Sequence, residues 1–413
     1  MNQIDVIVIG AGAVGLSTAI NLRREGLKVA LVDALPPGGG TSFGNAGMIS
    51  PGAVVPMAMP GMLRKVPKWL LDPLGPLAVA PSYFPKAVPW LMRWIAAGKR
   101  KRVIEISDAM RSLMGRTIDD WRELLGNDHF HHLVRQPGQL HLWEGEAESD
   151  GSRLEKYLRE RHGVKERVLT VGEMAEMVPG MSPNIKRGIL IEENGHTISP
   201  ARLTATLAAI FRHEGGEILA QKVLKLLPRD DGTVGLFTNI ANLQAKFVVL
   251  ATGAWSNELL APLSIRLPLE SERGYHAMLP DSNLATDFSI GFKDRGFGLT
   301  PMEDGIRISG TVEIAGVQAP PNEERAHRLV RQAKQLFPGL EHGEPRIWMG
   351  HRPSMPDSLP VIDRVRSVPG LFLALGHSHW GMSGGPPTAK IVTDLVLDRA
   401  ARIDPTPFRM DRF

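Results

Sequence analysis

The apolar positions of this chain fall into two kinds of block. Val6-Ile7-Val8-Ile9, the run 28–32, Phe247-Val248-Val249-Leu250 and Leu371-Phe372-Leu373-Ala374-Leu375 are short, nearly all apolar and largely β-branched or leucine-rich. Such runs predict strands buried on both faces, as in a parallel sheet covered by helices. The stretches 138–143, 187–192, 266–279 and 305–312 alternate instead, which predicts strands of a mixed or antiparallel sheet. Helical patterns cover 16–25, ending at Gly26, and 202–214. A strand is expected near 217–227, and a last helix from about Thr388.

Strand, glycine turn, helix and strand in that order begin a Rossmann-type α/β fold. At 413 residues the chain is too long for one compact core and suits two domains. The buried-strand blocks assign 1–60, 196–262 and 345–413 to one discontinuous nucleotide-binding domain. The alternating stretches assign 61–195 and 263–344 to a second, α+β substrate or cap domain on a mixed sheet. Residues 57–97 stand apart, being rich in Pro, Met, Leu and Trp, with Trp69, Trp90 and Trp94 and interleaved lysines. Their prolines exclude one long helix. The segment fits either a lid or dimer contact, or an interfacial membrane contact.

Gly10-Ala11-Gly12-Ala13-Val14-Gly15 joins the first strand to the first helix. Gly10 lets the chain turn sharply, Gly12 lets backbone approach a pyrophosphate, and Gly15 lets helix and strand pack closely. Free N–H groups at the helix start, by Ala13 and Val14, favour a phosphate. Asp33, followed by Ala34, ends the second strand, where a carboxylate can accept hydrogen bonds from ribose hydroxyls. Three further segments extend this reading. Thr41, Ser42, Asn45, Ala46 and Gly47 belong to a glycine-rich stretch suited to lining phosphates or a ring edge, unless it is a flexible surface loop. The strand at 247 runs into the tight turn Ala251-Thr252-Gly253, with Trp255 just beyond. The strand at 371 leads through Gly376 and His377 into a loop holding His379, Gly381, Met382 and Ser383. Doubly wound sheets bind ligands at such strand ends, and a following helix start can hold negative charge.

Composition adds mainly exclusions. Net charge is +4, and the one dense basic run is Lys99-Arg100-Lys101-Arg102. No basic stripe is interleaved with aromatics, so nucleic acid is not an expected partner. A weak attraction to an anionic membrane surface is compatible with the charge. The chain has no cysteine, which excludes disulfides, thiolate metal sites and a cysteine-tethered cofactor. His129, His131 and His132 cluster without carboxylates at ligand spacing, so no metal is expected. No run approaches the ~20 apolar residues of a membrane helix, and no secretion pattern precedes Asp5. The expected location is cytoplasmic, or peripheral on the inner face of the cell membrane.

Taken together these segments resemble the D-amino-acid oxidase-type family of FAD oxidoreductases, and within it the bacterial D-amino-acid dehydrogenases. The resemblance spans nearly the whole chain and rests on 10–33, 41–47, the turn at 251–253, Gly350-His351-Arg352-Pro353-Ser354-Met355-Pro356-Asp357, and Gly376-His377 onward. It implies FAD as cofactor, with Val223 near the adenine. Family members that tether the flavin use a Cys or a nearby His. This chain has no Cys and 41–47 has no His, so noncovalent FAD is expected. No second GxGxxG follows a strand, so a nicotinamide acceptor is not expected.

For an amino-acid substrate the catalytic candidates are Tyr275, Arg352, His379 and His276. The planar fork of an arginine matches a carboxylate. The resemblance implies that role, or contact with the flavin beside Gly350, for Arg352; the alternative is an ion pair with Asp357 or Asp363. The Tyr275 hydroxyl is a second donor for the carboxylate, unless it is a core aromatic. His276 should then point to the other face of a regular strand. His379 stands where the family places a basic residue over the flavin, and its alternative is a surface loop. Arg307 is a weaker carboxylate candidate, and Met48 and Ser50 follow the flavin loop toward substrate. A side-chain base is not required, because hydride can leave an already neutral amine, although a base such as a histidine could still help. The expected activity is oxidative deamination of a small D-amino acid to the 2-oxo acid, or to a cyclic imine, with electrons passing to a quinone or other acceptor. The alternatives are an oxygen-using oxidase of glycine, sarcosine or D-amino acids, and a flavin-binding subunit of a multi-subunit dehydrogenase.

Overall fold

The computed structural model describes residues 4–61 and 74–413. The four apolar blocks lie side by side. Val6–Ile9 pairs in parallel with Val29–Asp33 and with Phe247–Leu250, which pairs in parallel with Leu371–Leu375. Glu217–Ala220 extends one edge and the antiparallel Val361–Arg364 closes the other. Alternate side chains enter two separate cores. Val6, Val8 and Leu31 pack with Leu16 and Ile20 of the helix Ala13–Arg24, and with Leu203 and Leu207 of Pro200–His213. Ile7, Ile9 and Val32 pack with Leu226, Val234 and Leu236 of a three-stranded antiparallel layer, Val223–Pro228, Val234–Thr238 and Asn242–Ala245. Cover on both faces is why the runs are apolar throughout.

The strand expected near 217–227 is therefore two strands in two sheets. Glu217–Ala220 stays in register beside Val29–Asp33, Gln221 donates its N–H to the Asp33 carbonyl (2.9 Å), and the chain then leaves for the second layer at Val223.

The alternating stretches join a nine-stranded mixed sheet. Its order runs Arg346–Ser354, Glu270–Leu279, Gly305–Ile314, Phe297–Met302, Ser289–Phe292, Gln139–Trp143, Arg187–Ile191 and Glu166–Leu169, with Leu77–Val79 alongside Gly305–Ile314. Two groups depart from the expected division. Arg346–Ser354, expected in the nucleotide domain, pairs with Glu270–Leu279 from Ser354 opposite Glu270 to Arg346 opposite Met278. The chain rejoins the nucleotide sheet through a bridge between Ser354 and His377 and then through Val361–Arg364. The helices Phe84–Ala97, Arg100–Met114 and Thr117–Leu125, expected in the cap, instead share a core with the helical face of the nucleotide sheet. Trp90, Trp94, Met110 and Trp121 lie in one cluster with Leu16 and Ile20.

Of residues 57–97, 62–73 lie outside the described residues. Phe84–Ala97 takes Pro85 in its first turn and Pro89 inside. Trp90 and Trp94 turn inward and stack at 6.4 Å, and Trp90 Nε1 donates to the Ser354 carbonyl (3.1 Å). No helix among the described residues is long and apolar enough to cross a membrane. His129, His131 and His132 are exposed on the helix Asn127–Leu133, and the described residues contain no group of three metal-ligating side chains.

The last helix begins at Gly381, not near Thr388, and includes Pro386 and Pro387. Each proline lacks the N–H that would reach back four residues, so the carbonyls of Met382 and Ser383 lose their helical partners. Both are satisfied from another helix. Trp121 Nε1 donates to the Met382 carbonyl (2.9 Å) and Thr117 Oγ1 to the Ser383 carbonyl (2.5 Å). Trp121→Phe keeps an aromatic ring, though a smaller one, and orphans a buried carbonyl. A loss of about 1–3 kcal/mol is expected in urea unfolding, and an unchanged midpoint would show that the indole N–H does not support this helix.

Candidate active site

The carboxyl ends of the central parallel strands open into one cavity of about 1810 Å³ that continues along the nine-stranded sheet. At the nucleotide end it is lined by Gly10, Gly12, Ala13, Val14, Asp33, Ala34, Thr41 and Ser42. Gly15 is not a wall residue. A Cβ there would fall 1.8 Å from the Gly10 carbonyl oxygen, so its role is close packing of helix on strand. Asp33 accepts N–H bonds from Ala11 (2.7 Å) and Leu35 (2.9 Å), one on each oxygen. Each carboxylate oxygen keeps a further lone pair for a hydroxyl. Val223, Ala251, Thr252, Gly253 and Trp255 complete this end.

Two helices begin at this cavity. Ala13–Arg24 starts at Gly12 and Gly381–Val396 at Trp380, and neither start has a side-chain cap. Two positive dipole ends thus face one space. This suits a dinucleotide with a diphosphate at one end and an electron-accepting ring at the other. Gly350, Gly376, His377, Gly381, Met382 and Ser383 line the second end. His377 bonds Thr388 Oγ1 through Nε2 (2.8 Å), and burial pushes its pKa down to about 3, leaving a neutral wall residue. Met48 and Ser50 also line the cavity, and the Ser50 N–H donates to Ser383 Oγ (3.0 Å).

The loop 41–47 is held from both sides. Ser42 Oγ accepts the Ala13 N–H (3.0 Å), and Thr41 Oγ1 donates to the His351 carbonyl (2.8 Å). Asn45 and Ala46 line the cavity, whereas Gly47 does not; its N–H donates to Asn45 Oδ1 (2.8 Å). Arg307 and His276 grip the loop from behind. Arg307 Nη1 donates to the Asn45 carbonyl (2.6 Å), and His276 Nδ1 lies 3.0 Å from the Gly44 carbonyl with its ring stacked on Trp348. Burial lowers Arg307 to about 10, which leaves it charged at neutral pH, and lowers His276 to about 3, which leaves it neutral. Neither side chain lines the cavity. Arg307 is thus not placed for a substrate carboxylate, and His276 is not placed for catalysis; Arg307 Nη1 and His276 Nδ1 face backbone carbonyls of the loop.

Tyr275 does line the cavity, on the face opposite His276. Its hydroxyl donates to Glu313 Oε2 (2.5 Å) and accepts the Asn322 N–H (3.0 Å). Burial and Glu313 raise its pKa to about 12. The single hydroxyl proton is already given to Glu313, so Tyr275 is not a free donor for a carboxylate.

Arg352 lies across Gly274, where a Cβ would fall 2.1 Å from the guanidinium carbon. The strand pairing shifts register here, between Arg273 and Tyr275, and Arg352 Nη1 donates to the Thr311 carbonyl (3.0 Å). Asp357 pairs instead with Arg412 (2.8 Å) and Arg102 (3.3 Å), so it does not neutralise Arg352. Beside Arg352 stands a group the sequence did not single out, Glu272. Its Oε2 lies 2.8 Å from His379 Nε2, and both residues line the cavity. Burial disfavours the Glu272 carboxylate, but the His379 hydrogen bond and the Arg352 charge outweigh it, and the pKa stays below the usual carboxylate range. Burial and the Arg352 charge hold His379 below an ordinary histidine, against the pull of Glu272. Every residue of Glu270–Leu279 is buried. Its run Glu270-Ser271-Glu272-Arg273 was the available signal, since polar side chains on a fully buried strand need partners.

The FAD-dependent oxidoreductase (DAO) family profile matches residues 5–395. The chain belongs to that family. It is similar to a D-amino-acid oxidase of Bradyrhizobium diazoefficiens, with 36% identity covering 99% of this chain and 98% of the relative. It is 31% identical to a D-amino acid dehydrogenase of Sinorhizobium medicae, covering 99% of each. Among solved structures, L-proline dehydrogenase from P. horikoshii superposes with a TM-score of 0.78 at 19% identity, covering 100% of this chain and 98% of that one. Glycine oxidase from Geobacillus kaustophilus gives 0.75 at 22% identity, covering 100% of both. These likenesses establish the mixed α/β fold with its parallel nucleotide sheet.

Arg307→Ala removes a charge-assisted bond worth about 1.5–3 kcal/mol from the loop. FAD affinity, read by fluorescence titration, is expected to fall at least about 10-fold; an unchanged Kd would remove Arg307 from the account of the loop. Tyr275→Phe is expected to shift an amino-acid KM by less than about 3-fold while lowering stability by about 1–3 kcal/mol through the lost hydroxyl bonds to Glu313 and Asn322. A large KM rise at unchanged stability would restore Tyr275 as a substrate ligand.

Proposed function

We propose that the protein oxidises the Cα–N bond of a free, small D-amino acid to the imine, which water converts to the 2-oxo acid and ammonia. A cyclic amino acid would stop at the cyclic imine. The observation that carries this reading is the half-buried Arg352 next to the buried Glu272 in one cavity. A neighbouring cation and anion complement a zwitterion, with the substrate carboxylate on the Arg352 fork and the ammonium toward Glu272 and His379. Preference for the D form is supported by what the two relatives are called.

FAD, held noncovalently, supplies the hydride acceptor. In this reading the turn at 10–15 and Ser42 hold the diphosphate, Asp33 a ribose and Val223 the adenine, while the start of Gly381–Val396 faces the flavin. Fixed orientation of the α-carbon provides much of the acceleration. Electrons then pass to a quinone or another acceptor. Contact with an anionic membrane surface is supported by the exposed Phe84, Val88 and Met92 on the helix that leads to the basic run 99–102. The 36% identity to a protein called an oxidase favours a second reading of the acceptor, molecular oxygen.

Anaerobic addition of D-alanine, D-proline and other small D-amino acids to the yellow protein is expected to bleach the flavin, with L-forms inert. Readmitted air returns the colour quickly in an oxidase and slowly in a quinone-linked dehydrogenase. No bleaching by any amino acid would overturn the reading. Arg352→Lys keeps the charge and loses the fork, so KM is expected to rise about 10–100-fold, reflecting about 1.5–3 kcal/mol. An unchanged KM would place the carboxylate elsewhere.

A further inference from the structure

We infer that His379, oriented by Glu272, is the base that takes a proton from the substrate ammonium group before the Cα–H bond breaks. The inference rests on the amino-acid reading above. An amino acid reaches the site as an ammonium ion, and its nitrogen lone pair must be free before hydride can leave the α-carbon. One proton therefore has to move, and the cavity wall that holds Arg352 also holds a carboxylate–imidazole pair at 2.8 Å.

The neighbouring titratable groups are committed elsewhere. The Tyr275 proton belongs to Glu313. His377 bonds Thr388, and His351 Nδ1 bonds Ser271 Oγ (2.8 Å). Glu270 accepts from Tyr83 (3.2 Å) and from the Ser271 N–H (2.8 Å). Arg273 pairs with Glu313 (3.3 Å). The charged groups acting on the His379 ring are thus Glu272 and Arg352.

An ionised Glu272 only accepts, so the neutral ring must donate from Nε2. Nδ1 is left with its lone pair. This is the base-and-orienter arrangement, in which a carboxylate fixes the tautomer and steadies the imidazolium that forms. Burial and then the Arg352 charge hold the ring below an ordinary histidine in the free protein. A substrate carboxylate on Arg352 cancels that charge, so the ring gains basicity when there is an ammonium to deprotonate. In the step itself an N–H bond of the ammonium breaks and its electron pair stays on nitrogen. The proton bonds to Nδ1 and later leaves to water. The α-hydrogen and its two electrons go to the flavin.

The test uses the FAD-loaded protein and D-alanine in anaerobic stopped flow from pH 5 to 10, with wild type, His379→Gln and Glu272→Gln. The wild-type reduction rate is expected to rise with pH through one limb and then level off. In His379→Gln the rate at pH 7 falls about 10²–10³-fold, and the limb moves alkaline, toward the titration of the amine itself. In Glu272→Gln the ring survives without its partner, and the limb moves to lower pH. A limb that stays in place in His379→Gln, or a rate lowered by one factor at every pH, would overturn the inference and leave His379 a structural residue. A second readout needs no turnover. Propionate, a carboxylate without an amine, is expected to cause proton uptake by the wild-type protein near pH 6, recorded with an indicator dye. No uptake would overturn the inference even if His379→Gln proved unable to fold. If no amino acid reduces the wild-type flavin, the amino-acid reading fails separately, and the propionate result still decides whether the pair senses a carboxylate.

Discussion

The candidate site depends on one seam of backbone hydrogen bonds. Arg346–Ser354 pairs with Glu270–Leu279 in the nine-stranded sheet, and its last residue bridges to His377 at the end of a nucleotide-sheet strand. The register sets Arg352 opposite Glu272, and the bridge sets both beside the loop that carries His379. Successive side chains of a strand point to opposite faces, so a slip of one residue would turn Arg352 out of the cavity. Two sheets with separate cores are thereby fixed at the point where a cofactor and a substrate would meet.

Burial of charge along that seam is tolerated because its charged side chains are paired: Glu272 with His379, Arg273 with Glu313, and Arg352 with the Thr311 carbonyl. Arg325 has no exposed surface and donates to Thr311 Oγ1 (2.9 Å) and to the carbonyls of Gly75 (2.7 Å) and Val312 (3.1 Å). Tyr275, Glu313 and Arg273 form a second network. The same economy governs the helix Gly381–Val396. It carries two internal prolines next to the cavity because Thr117 and Trp121 satisfy the carbonyls those prolines leave open. The helices around 84–125, which looked like part of a cap, thereby support the nucleotide layer.

The legible parts of the site were those whose chemistry is local. The turn at 10–15, Asp33, the loop at 41–47 and the turn at 251–253 are each short motifs in which neighbours in sequence make the geometry. Their wall positions followed, apart from Gly15 and Gly47, which pack behind the surface. The substrate end was less legible because its residues come from different strands. Arg307 looked like a carboxylate ligand until its Nη1 was found on the Asn45 and Phe43 carbonyls, behind the cavity wall. Tyr275 looked like a free donor until Glu313 was found beside it. Glu272 was passed over because an acidic residue in an alternating stretch ordinarily faces water, and only the pairing of strands on both sides of Glu270–Leu279 buries it.

By itself the sequence determined the class of fold and the glycine-lined end of the cavity. Fully apolar strands, glycine spacing and strand-to-helix turns are dictated by backbone sterics and burial over a few residues, and those constraints act wherever the chain goes. Tertiary structure alone decided which strands share a sheet, where the last helix starts, and which charges are neighbours. Those outcomes depend on pairings between residues far apart in the chain, such as Glu272 with His379, Thr117 with Ser383, and Arg307 with Asn45. No local pattern encodes a partner that arrives from a hundred or more residues away.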